Sequence, residues 1–214
     1  TLQLGKSKNY VVRELIQNAI DEDITECKVL IEYCGGNILV SVSDNSKEGF
    51  RNLKDAYTLF GDTYKRRNPE KRGRFNIGEK QAFSICDKAI VKTTKGEITF
   101  DKKGRTQNSK NKTQEGTFVC AKLKGNKSEY NEMFEFAKLL IIPPNINYIL
   151  NNCEIISKKI DSVFFTSLLT EIEEDKIIKK VMRKTEVQLL KEDKSYIYEM
   201  GIPVTEIDCP YSIN

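Results

Sequence analysis

The chain has no histidine in its 214 residues. With histidine go the commonest general base at neutral pH and the commonest metal ligand. Its six cysteines, Cys27, Cys34, Cys86, Cys120, Cys153 and Cys209, include no Cys-x-x-Cys pair, so neither a zinc site nor a dithiol redox motif is expected. Most stand among Val, Ile and Ala, which reads as small core residues rather than a disulfide framework. No apolar run reaches the ~18 residues needed to cross a bilayer, and the start lacks the charged-then-apolar pattern of a secretory signal. No membrane partner is expected, and the expected location is cytoplasmic. Position 1 is threonine rather than methionine, which reads as a fragment or a processed chain. Neither GxxxxGK[ST] nor GxGxxG occurs, so this is neither a P-loop nor a Rossmann protein. Internal repeats and low-complexity tracts are also missing.

What is present is a lysine-rich globular composition, 39% hydrophobic and 31% charged, long enough for one large domain or two modest ones. The net charge of +4 and pI of about 8.6 permit contact with nucleic acid without demanding it, because such binding depends on clustered charge.

The most informative stretch is residues 13–22, RELIQNAIDE. At helical spacing Glu14, Asn18 and Asp21 fall on one narrow face, with Val12, Leu15, Ile16 and Ala19 on an apolar stripe well round from it. A carboxylate one turn from a carboxamide suits a water-activating base beside a ligand for a hard metal ion. A solvated polar face on an amphipathic helix has the same pattern, so both readings stay open here.

Alternating residues predict strands over 25–33 and 38–43 with a CGGN hairpin between them. The second strand runs into Asp44-Asn45-Ser46 and Gly49-Phe50, an acidic residue at a strand end that either borders a cleft or forms an ordinary Asx turn. A short helix is expected over 51–61. Six of the ten residues from 65 to 74 are Lys or Arg, a segment that cannot pack and is either mobile or holding an anion. Gly73 and Gly78 then open a helix whose first N–H groups, with Lys80 nearby, suit a phosphate. Strands follow over 88–94, 97–101 and 116–123, with residues 102–114 as a polar loop whose basic residues either stay flexible or touch nucleic acid. A helix over 130–140 ends at Pro143-Pro144, where the domain boundary is expected. Beyond it, short strands are expected over 147–150, 153–156, 164–169, 176–183, 185–190 and 195–199.

Four pieces stand in order: Glu14-x-x-x-Asn18-Ala19-x-Asp21, Asp44-Asn45-Ser46 with Gly49-Phe50, the loop from Gly73 to Gly78, and Gly116-Thr117-Phe118-Val119. Over roughly residues 10–142 they resemble the GHKL, or Bergerat-fold, ATPase superfamily of type II topoisomerases, MutL-type proteins, large heat-shock chaperones, MORC proteins and sensor histidine kinases. The resemblance implies an α/β (α+β) two-layer sandwich, a mixed and mostly antiparallel sheet with helices on one face. It divides the chain into an ATP-binding domain at 1–142 and a smaller β-rich domain at 143–214, transducer-like or middle-domain-like and incomplete.

By the same resemblance Glu14 is the general base, Asn18 the magnesium ligand, Asp44 the acceptor for the adenine amino group and Thr117 its water-linked neighbour. Asp21, Gly49, Gly73, Phe75, Asn76, Ile77 and Gly78 join the ATP-binding set, and residues 58–74 are the lid; Lys80 is added to the set from its charge and its nearness to the loop. Two departures stand out. Ser46 replaces the first glycine of Asp-x-Gly-x-Gly, with Gly49 one position late, and Asn76 replaces a glycine of the phosphate loop. The implied cofactors are ATP and Mg2+, and the implied partners a second copy of the chain in a nucleotide-dependent dimer, with DNA or another protein as further candidates. Histidine kinases usually carry Asn at the Glu14 position, so Glu14 favours hydrolysis. A nucleotide-gated binding module with little turnover is the competing expectation.

Overall fold

A computed structural model describes residues 8–47, 53, 78–174 and 177–214. Contacts divide the chain into two compact units, residues 1–156 and 157–214.

In the first unit, helix α1 spans Asn9–Ile20 and buries Val11, Val12, Leu15, Ile16 and Ala19, the expected apolar stripe. Strands β1 (Glu26–Cys34) and β2 (Asn37–Asp44) form an antiparallel hairpin. Helix α2 (Gly78–Ser84) precedes β3 (Lys88–Thr93), β4 (Gly96–Asp101), β5 (Gly104–Asn108) and β6 (Thr117–Lys124). Helix α3 (Lys127–Leu139) is followed by β7 (Asn147–Leu150) and β8 (Cys153–Glu154). The eight strands lie in the order β5-β4-β3-β6-β2-β1-β7-β8. Every neighbouring pair is antiparallel except β1 with β7.

The sheet has one buried face. Cys27, Val29 and Ile31 on β1, Ile38, Val40 and Val42 on β2, and Val119, Ala121 and Leu123 on β6 are each buried, one residue in two as the pleat requires. Helices α1 and α3 pack on β1, and α1 also packs on β2. This is the expected two-layer sandwich with a mostly antiparallel sheet. Among the described residues no helix is long and apolar enough to cross a membrane.

Four differences from the sequence reading have local causes. Residues 104–108 form β5 inside the segment read as loop. Helix α3 starts at Lys127 rather than at 130, because Asn126 and Glu129 make a capping box in which each side chain bonds the other's backbone N–H, satisfying orphan donors of the first turn. The first unit runs to Ile156, past the boundary expected after 142. Strand β7 pairs with β1, the buried Tyr148 hydroxyl donates to the Ala137 carbonyl of α3, and the Asn151 side chain both donates to and accepts from the Ile31 backbone. Finally, of the six free cysteines only Cys27 is buried; Cys86, Cys120 and Cys209 are half-buried, and Cys34 and Cys153 are exposed near turns. Cys120 shows the cause: its apolar neighbours Val119 and Ala121 lie on the other, buried face of β6.

The second unit is a five-stranded sheet ordered β12-β11-β13-β10-β9. Strands β9 (Ile160–Glu174) and β10 (Ile177–Leu190) form one long antiparallel hairpin, where three shorter strands were expected. Strands β11 (Ser195–Glu199), β12 (Ile202–Ile207) and β13 (Ser212–Ile213) complete it. Val187, Leu190 and Tyr198 are its buried apolar residues among those described.

Candidate functional site

The end of β2 is held from three directions. Asn45, the residue after the strand, accepts the Thr25 and Glu26 N–H groups through Oδ1 and donates from Nδ2 to the Thr25 hydroxyl, tying the loop to the start of β1. Ser46 is buried, and its carbonyl accepts the Gly116 N–H at 2.7 Å. Gly116 has φ +66°, and a Cβ there would lie 1.8 Å from the Asp44 carbonyl oxygen. Backbone conformation and close approach therefore both require glycine at this point.

Asp44 sits at the centre. Its Oδ1 accepts three bonds, from the Ser46 hydroxyl at 2.6 Å, the Ser46 N–H at 3.0 Å and the Thr117 N–H at 3.2 Å. No described residue donates to Oδ2, so one oxygen of the carboxylate is saturated and the other is left as an acceptor. Burial pushes the Asp44 carboxyl above its ordinary range; the Ser46 and Thr117 bonds pull the other way without cancelling it, and the charge of Glu22 adds a further upward push. Thr117 opens β6 directly across from β2 and is itself buried.

Helix α1 lies against β2 and carries Glu14 and Asn18, with Asp21 as its C-cap. The Glu14 side chain is only 15% exposed, and Arg13 donates to its Oε1 from Nε at 3.1 Å and Nη2 at 2.9 Å. Arg13 also lies over the Tyr10 ring, 4.7 Å from its centroid. The Tyr10 hydroxyl donates to Gln81 of α2 at 2.8 Å, and burial, then the Glu14 charge, push its pKa up to about 12. The helix that begins at Gly78 is thereby pinned to the helix that carries Glu14. Asn18 is half-buried, and Asp21 caps the C-terminus of α1, its N–H donating to the Gln17 carbonyl.

Of the residues singled out in the sequence, Asp44 and Thr117 are bonded to one another, and Glu14 and Asn18 share α1, which Asp21 caps. Gly78 opens α2, which also carries Lys80. Gly49, Gly73, Phe75, Asn76 and Ile77 lie outside the described residues, as do residues 58–74 and all of the helix read over 51–61 except the buried Leu53. Two contributions were not legible. Arg13 as the partner of Glu14 had no pattern to announce it, and Ser46, visible only as a missing glycine, supplies a donor to Asp44.

The arrangement suits an adenine nucleotide. A carboxylate oxygen with no described partner, at a half-buried strand end, can accept an N–H donor from a ligand, and the carboxylate and carboxamide on α1 are hard oxygen donors. Among the described residues no cluster of three or more Cys, Asp or Glu could hold a metal. A cavity of about 480 Å³ lined by Phe83, Cys86, Asp87, Phe100 and Asp101 lies at the other end of β3 and β4 and is not this site.

No curated protein matches the chain in sequence. In fold it is similar to the ATPase region of Saccharomyces cerevisiae topoisomerase II, at 12% identity and a TM-score of 0.55, over 91% of this chain and 62% of that one. The same region bound to dexrazoxane gives 13% identity and 0.56, with the same coverage. The ATPase and transducer domains of DNA topoisomerase II from Balamuthia mandrillaris give 12% and 0.54, over 88% of this chain and 57% of that one. The chain thus spans about three fifths of the length of these structures, and at such identities the likeness is one of fold. The family model described as histidine kinase-, DNA gyrase B- and HSP90-like ATPase matches residues 8–127, more than half of the chain. The protein therefore belongs to the histidine kinase-, DNA gyrase B- and HSP90-like ATPase family.

Proposed function

We propose that the first unit binds ATP with magnesium and hydrolyses it slowly. The observation that carries this reading is the divided Asp44 carboxylate, with Oδ1 taken by three donors and Oδ2 left as an acceptor. Adenine presents an amino donor at the position where guanine presents a carbonyl, so such an oxygen selects adenine. Asn18 holds the magnesium ion, which neutralises phosphate charge when bound. Glu14 orients the attacking water and takes its proton, and Gly73 to Gly78 with Lys80 receive the phosphates. Positioning and charge neutralisation supply most of the rate in such a reaction.

Nucleotide also closes residues 58–74 over the site and favours a dimer. Six cations in the ten residues from 65 to 74 repel one another until an anion is bound, and ordering that segment completes a surface for a second copy. The second unit, transducer-like or middle-domain-like, passes the change onward.

A second reading has one observation in its favour. Arg13 already engages Glu14 Oε1, and an ion-paired carboxylate is a weaker base, which suits a nucleotide-gated module with little turnover. Measuring ATP and GTP affinity beside phosphate release, each with and without magnesium, separates the two. Adenine-selective, magnesium-dependent binding with release supports the first reading, binding without release the second, and no preference for ATP over GTP rejects both. Sedimentation with a non-hydrolysable ATP analogue tests closure, which predicts a doubling of mass.

A further inference from the structure

Asp44 and Thr117 stand at one end of the central strands, and the opposite end is basic. Along β6 the buried residues alternate with Phe118, Cys120, Lys122 and Lys124, which face away from the helices. By the same alternation Lys88 on β3 and Asp101 on β4 stand on that open face. The register sets Lys122 opposite Lys88, and Lys88 opposite Asp101. The β4–β5 turn then adds Lys102 and Lys103. All five of these cations are exposed.

The carboxylates at this end, among the described residues, are Asp101, Asp87, Glu32 and, in the first turn of α3, Glu129, which is paired with Lys8. Asp87 is already paired with Lys102 at 3.4 Å, and Asp101 accepts the Lys103 N–H at 2.8 Å. Glu32 lies two strands from Lys122, through Leu39. Like charges directly opposite on antiparallel strands destabilise a sheet, and the Lys88–Lys122 pair is such a case. A bridging anion relieves it.

We propose that this strip, from Lys122 across Lys88 to the Lys102–Lys103 turn, is a contact surface for the phosphate backbone of a nucleic acid. The direction of the row selects this partner over an acidic peptide. Strands lie about 4.8 Å apart, so the row from β6 to β5 runs crosswise for roughly 14 Å. A peptide added to the exposed edge of β5 runs along the strands and leaves Lys88 and Lys122 unserved. A phosphodiester chain crossing the strands meets the row in turn, its charges spaced along its whole length. The surface is separate from the nucleotide site: Lys122 lies five residue steps along β6 from Thr117, roughly 17 Å at about 3.3 Å each, about twice the screening length at physiological salt. It therefore stands whether or not the nucleotide reading does.

The test is fluorescence anisotropy with a fluorescein-labelled, mixed-sequence DNA duplex over a salt series, on the whole chain. Wild type is expected to bind with an affinity that falls as salt rises. The triple variant Lys88→Gln, Lys103→Gln, Lys122→Gln is expected to bind roughly tenfold or more weakly at low salt. It should also lose about two to three units from the slope of log affinity against log salt, near 0.9 for each phosphate contact. A variant with the same charge loss elsewhere, Lys138→Gln, Lys159→Gln, Lys194→Gln, should keep the wild-type slope, and Asp44→Asn should bind the duplex as wild type does. All substituted lysines are exposed, so an unchanged melting temperature is expected and checks that folding is intact. The proposal is overturned if wild type shows no binding at low salt, if both triple variants lose the same slope, or if polyglutamate binds as tightly as duplex at equal charge.

Discussion

Strand β6 ends in two different environments. At Thr117 it meets a buried serine, a glycine with no room for a side chain and a carboxylate whose every bond can be named. At Lys122 it meets a row of exposed cations. On the proposed reading the first end recognises by placement: one oxygen is saturated so that the other is defined, at the cost of burying a charge. The second recognises by charge density and needs no exact geometry. The two should therefore fail differently, the first on small changes of shape or protonation, the second only on loss of charge or addition of salt.

The largest effect should come from Glu14→Ala, which keeps ATP binding within about twofold while hydrolysis falls roughly 100- to 10,000-fold, the usual worth of a general base. Phosphate release and nucleotide titration on the same preparation check this. Equal turnover by variant and wild type would remove Glu14 from the reaction.

Next comes a matched pair of glycine substitutions. Gly116→Ala places a Cβ 1.8 Å from the Asp44 carbonyl at φ +66° and should cost about 2–5 kcal/mol in denaturant unfolding. Gly104→Ala, at φ +115° but with nothing within 4 Å, should cost only the backbone strain of about 1–3 kcal/mol. If the two cost the same, the nucleotide end is no more tightly built than the basic end.

Asp44→Asn replaces the acceptor with an amide donor facing the adenine amino group. ATP affinity should fall by about 1.5–3 kcal/mol, roughly 10- to 150-fold. Stability should move the other way. Because the folded-state pKa of Asp44 is raised, its contribution is fully present below the unfolded carboxylate pKa and lost as pH rises through the folded value. The unliganded Asn variant is thus expected to be no less stable than wild type at pH 7. In wild type, ATP affinity should drop as pH falls through the raised Asp44 pKa. Oδ1 is already filled by three donors, so the proton goes to Oδ2 and turns the acceptor into a donor. Calorimetric titration over a pH series, with Asp44→Asn as the flat reference, checks the sign.

The smallest effect belongs to Ser46→Ala, which removes one of the three donors and should weaken ATP binding by about 1 kcal/mol at neutral pH. It should also shift the acid limb of the affinity profile upward, since a bond that favours the ionised form is lost. Ser46→Gly, which restores the family pattern, should do the same. A profile that does not move in either variant would reduce Ser46 to a packing residue.

Much of the first unit was legible because its sheet has one wet face. The period-two alternation in residues 25–33 and 38–43 reports burial, and the observed strands differ from those spans by a residue at most ends. The polar row Glu14, Asn18, Asp21 was legible for the same reason, since α1 buries the opposite stripe. Strand β5 was not, because Gly104, Arg105, Thr106, Gln107 and Asn108 are exposed on both faces and no burial pattern is there to read. The β9–β10 hairpin was broken into pieces because apolar residues such as Phe164, Phe165, Leu168 and Leu169 are exposed on both sides of the strand, so its alternation carries no inside and outside. Ser46 was invisible for another reason: its role depends on a carboxylate oxygen two residues away, and spacing says nothing of which oxygen is filled.

The parallel pairing of β7 with β1 has a consequence for how the protein is made. Ile31 and Asn151, which exchange two hydrogen bonds across it, are 120 residues apart. At about 5–20 residues per second of synthesis, the outer edge of β1 waits roughly 6 to 24 s for its partner to leave the ribosome. During that time a row of unpaired N–H and C=O groups is offered to any other nascent strand. The residues that close this edge, Asn151 above all, therefore decide how long the newborn chain is open to mispairing, and Asn151→Ala should lower the yield of folded protein during translation more than it lowers the stability of the finished fold.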